Sequence, residues 1–132
     1  MNDLESARNK LDKYIRDFDV SLMSNSKWVK VFRCLSGLED IKCKAQVKLV
    51  WDSKLRHIQI NDSLQYDLDF YAKSMENMIS GSPNGFYEYR EIEWLEMSAS
   101  ETELKRIEGA LQKVGCLDIV SNSSMLRLIA YK

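Results

Sequence analysis

Proline, glycine, cysteine and histidine are all scarce in this 132-residue chain, which has one Pro, five Gly, three Cys and one His. So little proline and glycine is not the composition of a long disordered linker. Cys34, Cys43 and Cys116 are odd in number and widely spaced, which argues against a disulfide framework and against a short-spaced zinc motif. They read as small buried hydrophobes of a reducing compartment. His57 would have to serve every Ser–His or Cys–His arrangement in the chain, with no neighbour to orient it as a base, so it reads as a surface residue. No apolar run approaches the roughly 20 residues that cross a bilayer, and MNDLESARNK has no apolar h-region, so neither a membrane span nor a secretory signal is expected. Gly81 and Gly85 flank a Ser-Pro-Asn turn and match neither a P-loop nor a dinucleotide fingerprint. These absences lead us to expect a cytoplasmic protein with no cofactor, no metal and no catalytic residue.

What is present is ordinary in amount and uneven in placement. Apolar residues make up 45% and charged residues 30%. A chain of this length is expected to form a single domain, 1–132, that buries roughly two-thirds of its unfolded surface. The net charge of −1 conceals a strong asymmetry. Residues 61–103 carry ten Asp/Glu against two Lys/Arg, whereas the segments on either side are net positive. Charge asymmetry of this kind bears on partners more than on fold.

Periodicity places the elements. Leu4, Ala7, Leu11, Tyr14, Ile15 and Phe18 follow a helical repeat over 3–20, an element that stands as a possible appendage to the rest. Trp28, Val31, Phe32 and Leu35 predict a second helix over 26–36, with Gly37 as its stop. In IKCKAQVKLVW, residues 41–51, apolar and polar positions alternate for eleven residues, the mark of a strand with one wet face. Asp52 and Ser53 turn the chain into a second strand over 55–60. Residues 62–80 fit a helix, and 86–97 a strand whose phase slips between Tyr89 and Ile92, which a bulge near Arg90 and Glu91 or after Glu93 would reconcile. Ser100 and Glu103 form a capping box ahead of Leu104, Ile107 and Leu111, a third helix stopped by Gly115. LDIVS and MLRLIAY then read as a terminal hairpin. The expected class is α+β: an antiparallel or mixed sheet of about five strands with helices packed mainly on one face.

Candidate chemistry concentrates in the acidic middle. Asp67 with Asp69, and Glu91 with Glu93, are spaced as carboxylate pairs; on a strand the two glutamates would lie about 7 Å apart on one face. Solvated carboxylates on strands are common, so a small carboxylate-dependent metal-binding enzyme is the alternative reading. Lys42, Lys44 and Lys48 share a strand face, but a basic stripe also keeps an exposed sheet soluble, and no nucleic-acid role is expected. The favoured reading is a surface matched to a basic protein partner, aromatic anchors inside a charged rim. The residues nominated are Asp62, Asp67, Asp69, Glu76, Glu88, Glu91 and Glu93, with Tyr71, Tyr87 and Tyr89 as anchors, while Ile92 and Trp94 are assigned to the core.

Four stretches, in order, carry a resemblance: KWVKVFRCL (27–35), IKCKAQVKLVW (41–51), REIEWLEM (90–97), and LRLIAYK (126–132) preceded by a helix and VGC. Together they resemble a small bacterial family with a K/R-W-x-x-L/V-F helix, an R-E-I-E-W-L-E block and an I-R-I/L-x-x-Y strand. The similarity covers about residues 27–132; REIEW is its most specific part, and residues 61–80 depart from the family's shorter, Pro- and Gly-richer connection. Proteins of this kind look like immunity proteins of polymorphic or contact-dependent growth inhibition toxins. The resemblance implies a cytoplasmic protein that binds and blocks one toxin domain, often a nuclease, and carries over no catalytic residue. An intracellular adaptor for another protein would share the same surface logic.

Overall fold

A computed structural model of the chain describes residues 3–38, 43–58, 74–75 and 87–132. The first helix, α1 (Asp3–Arg16), ends four residues before its expected limit. Beyond it the backbone extends, and Val20 exchanges hydrogen bonds with Lys132 (3.0 Å each way) beside a bridge between Ser21 and Tyr131. The competition for backbone partners at the C-terminal strand therefore ends the helix. Leu11 is buried in the core, and Ile15 and Phe18 pack against it, but Tyr14 is exposed, so the contact stripe of α1 is narrower than its periodicity.

Helix α2 (Asn25–Ser36) begins at Ser24, whose side chain accepts a hydrogen bond from the backbone of Lys27 (3.1 Å) and satisfies one of the orphan donors of the first turn. Its Trp28, Val29, Val31, Phe32 and Leu35 are buried. Helix α3 (Glu101–Gln112) is capped by the expected pair, Ser100 and Glu103: Ser100 Oγ accepts from the Glu103 backbone (3.2 Å) and donates to the Glu103 carboxylate (3.0 Å). It buries Leu104, Ile107 and Leu111.

The main sheet is antiparallel throughout. Its strands are β1 (Lys44–Leu49), β2 (Leu55–His57), β5 (Ile92–Ser98), β6 (Asp118–Ser121) and β7 (Met125–Ile129), in the order β2-β1-β5-β7-β6. Alternation made β1 legible, and its buried residues are Ala45, Val47 and Leu49 as expected. The terminal hairpin turns on Asn122, whose side-chain oxygen accepts from the backbones of Ser124 (2.8 Å) and Met125 (3.0 Å), a local bond that sets the reversal.

The segment 86–97 is not one strand. Tyr87–Glu88 form β4, which pairs in a separate two-stranded sheet with β3 (Ser74–Met75). A 3₁₀ turn, Tyr89–Glu91, follows, and only then β5. The phase slip is real, and part of it lies one step further on. Lys48 faces Trp94 but Leu49 faces Ile92, so Glu93 is the extra residue of a bulge. The helix expected over 62–80 lies outside the described residues except at Ser74 and Met75, which are extended. Their partners come from twelve or more residues away, and pairing of that range overrides a local helical period.

Candidate functional site

The strand register sorts the sheet into two faces, because residues directly opposite in an antiparallel pair share a face. Ala45, Met97 and Leu126 form one row, and Val47, Leu95 and Leu128 another; all six are buried in the core cluster with the apolar residues of α2 and α3. The opposite, outer face carries two rows that each cross all five strands. One is His57, Gln46, Glu96, Arg127 and Val120; the other is Leu55, Lys48, Trp94, Ile129 and Asp118.

This outer face is held together by charge. Lys48 Nζ lies 2.8 Å from Glu93, Arg127 Nη2 lies 3.1 Å from Glu96, and Lys132 Nζ lies 2.6 Å from Asp118. The Arg127 guanidinium also sits 4.0 Å over the Trp94 ring, an attraction of about 0.5–2 kcal/mol depending on how far the pair is desolvated. Trp94 is buried, as expected, but it stands outside the core cluster: it is covered on the wet side of the sheet. Leu55 (46% exposed) and Val120 (54%) sit at the two ends of the same face, and they are two of the four large hydrophobics exposed among the described residues.

The nominated residues divide. Asp62, Asp67, Asp69, Tyr71 and Glu76 lie outside the described residues, and for Tyr87 and Glu88 only the backbone of β4 is described. Tyr89 is 1% exposed and packs on Phe32 with ring centroids 5.9 Å apart, so it is a core residue and not a surface anchor. The 3₁₀ turn accounts for this, since it breaks the strand alternation that would have aligned Tyr89 with Glu91 and Glu93. Glu91 accepts a hydrogen bond from Trp51 Nε1 (2.9 Å), and Glu93, on the bulge, holds Lys48. The two glutamates thus serve different partners and do not form a joint carboxylate pair.

The remaining described carboxylates of the acidic middle are engaged as well. Glu96 holds Arg127, Glu101 lies 3.7 Å from Lys105, and Glu103 completes the α3 cap. The basic stripe on β1 is likewise partly neutralised, because Lys48 belongs to Glu93. Sequence reasoning missed Glu96 and Arg127. Their alternation in WLEM and LRLI placed them on wet faces, but their contact with each other depends on the β5–β7 register.

A second polar cluster stands at the β1–β2 turn. Asp52 accepts from the Lys54 backbone (3.0 Å) and from Arg56 Nη2 (2.6 Å), and these bonds hold its carboxyl below the usual carboxylate range. Arg56 in turn lies 5.2 Å over the Trp51 ring. The cysteines are not the buried hydrophobes expected from the sequence, because Cys43 and Cys116 are exposed and Cys34 is half-buried. Partial desolvation still pushes the thiols of Cys34 and Cys43 up, with Glu103 adding to the rise at Cys43 and Lys113 opposing it at Cys34, so neither is a ready thiolate at neutral pH. Among the described residues no group of three or more His, Cys, Asp or Glu is placed to hold a metal ion, and no helix is long and apolar enough to cross a membrane. No family model, curated protein or solved structure matches the chain.

Proposed function

We propose that this protein is a binding module that acts as an immunity protein: it sits in the cytoplasm, docks on a cognate bacterial toxin domain and neutralises it by covering the toxin's active surface. The observation that carries this reading is the outer sheet face, where exposed Leu55 and Val120 flank an arginine-capped tryptophan among ion pairs. Exposed apolar side chains beside a Trp/Arg pair give a partner apolar surface to cover and the residue types in which binding energy concentrates, and strands position such groups more precisely than loops do. The likeness of REIEWLEM and its neighbours to immunity proteins supports the same reading from the sequence side.

The internal pairing of Glu91, Glu93, Glu96, Glu101 and Glu103 refines the electrostatic part. Negative charge offered to a basic toxin surface, such as a nuclease groove, then comes from Asp62, Asp67, Asp69, Glu76 and Glu88. The glutamates of 91–103 hold the scaffold instead.

The test begins with the adjacent upstream open reading frame, which is expected to encode a large secreted protein, and proceeds to capture and growth protection with the C-terminal domain of that product. A stable complex and rescue of growth are expected. Leu55→Asp, or Asp67→Lys with Asp69→Lys, is expected to weaken binding about tenfold or more, equivalent to about 1.4 kcal/mol, with the thermal midpoint nearly unchanged. Absence of a complex, or affinity and salt dependence indifferent to all three substitutions, would overturn the reading.

A further inference from the structure

Among the described residues the sheet ends at β6, and the direction of the backbone groups along that edge follows from the hairpin. Asn122 N–H donates to the Met125 carbonyl (2.9 Å), so Asn122 and Met125 are a hydrogen-bonded pair. Such pairs alternate along an antiparallel ladder. Val120 with Arg127 and Asp118 with Ile129 are therefore also hydrogen-bonded pairs, and Ile119 and Ser121 turn their N–H and C=O groups away from β7 toward the open edge.

The two edges of the sheet are not alike. The β2 edge is three residues long and carries Lys54, Arg56 and His57 at or beside it, the usual means of discouraging strand addition. The β6 edge, Asp-Ile-Val-Ser, has no lysine and no proline, and its Val120 is the most exposed large hydrophobic among the described residues.

We propose that the β6 edge pairs antiparallel with the β6 edge of a second copy of this chain. A two-fold axis normal to the sheet, midway between Val120 and its symmetry mate, keeps the faces of the two copies aligned. It sets Ile119 opposite Ser121 of the second copy, and the reverse, so the outward backbone groups of both residues close four hydrogen bonds. Val120 meets Val120 of the second copy in a non-hydrogen-bonded pair, the closer kind, with Cα atoms about 4.5 Å apart. Asp118 lies opposite Asn122, and its charge is already held by Lys132, so no like charges oppose. This self-complementarity is what favours a second copy over an unrelated strand. Four residues a side bury far less than the roughly 1,000 Å² at which stable interfaces begin, so the pairing is reversible and concentration-dependent. It does not depend on the function proposed above.

Amide hydrogen exchange and sedimentation, both on the full chain from about 10 µM to about 1 mM, test it across the corresponding range of weak affinities. A rising dimer fraction is expected. At half-association the Ile119 and Ser121 amides should exchange about two-fold more slowly than in dilute solution, by mass action, while Val120, already bonded to β7, does not change. Val120→Lys places two ammonium groups across the axis and should hold the chain monomeric at every concentration, with its circular dichroism unchanged. Sedimentation as a monomer at 1 mM, exchange at Ile119 and Ser121 that ignores concentration, or a dimer that survives Val120→Lys, would each overturn the proposal.

Discussion

Replacing Tyr89 by alanine separates two accounts of the acidic middle segment. As a surface anchor for a partner, Tyr89 would contribute little to folding, and truncation would change stability by no more than about 0.5 kcal/mol. In the structure its side chain is 1% exposed and is one end of an aromatic stack. It packs on Phe32 at 5.9 Å, and Phe32 packs on Trp28 at 5.6 Å, both rings being essentially buried. Removing a buried aromatic ring loses its transfer free energy and leaves a cavity that rigid neighbours fill only in part, at a cost of about 3–5 kcal/mol. That is a large share of the roughly 5–15 kcal/mol that stabilises a typical domain. For a chain of this size it translates into a fall in Tm of about 10–20 °C. Thermal and urea melts of Tyr89→Ala against the parent measure it, with near-UV circular dichroism reporting the loss of aromatic packing. Tyr89→Phe keeps the stack and should cost only about 1 kcal/mol. A fall in Tm under about 2 °C for the alanine variant would refute the placement of Tyr89 in the core.

Glu93→Lys should lower stability by about 1–2 kcal/mol, because it sets a second cation beside Lys48 on the bulge, and the swap Glu93→Lys with Lys48→Glu should recover most of that loss in a double-mutant cycle. Asp52 has a folded pKa depressed below its unfolded one, so its contribution is present above the unfolded value and lost as pH falls through the folded one. Asp52→Asn should accordingly lower Tm at neutral pH, with the gap to the parent narrowing as melts are taken into the acid range. Gly109 lies inside α3, is exposed, and an added Cβ meets nothing within 4 Å. Gly109→Ala should therefore raise stability by about 0.5–1 kcal/mol in a urea titration, chiefly by restricting the unfolded chain.

What the sequence alone determined is what depends on neighbours a few residues apart. The cap at Ser100, the apolar stripes of α2 and α3, the alternation of β1 and the turn at Asn122 are local arrangements of side chain and backbone. They were legible before any partner was known, and with them the α+β class and the existence of a wet sheet face. The tertiary structure decided everything that depends on register. Only the pairing of β5 with β1 places the extra residue at Glu93, and only the pairing with β7 brings Arg127 onto Glu96 and Trp94. A one-residue slip in either would send each of these side chains to the opposite face. Tyr89 was misplaced for the same reason. Its direction is set by a 3₁₀ turn between two sheets, and no period in the surrounding residues encodes where those sheets find their partners. The acidity that the composition displayed as one block is divided by the fold: distant cations are folded against Glu93 and Glu96 and the Trp51 indole against Glu91, whereas Glu101 and Glu103 meet partners within a turn of their own helix.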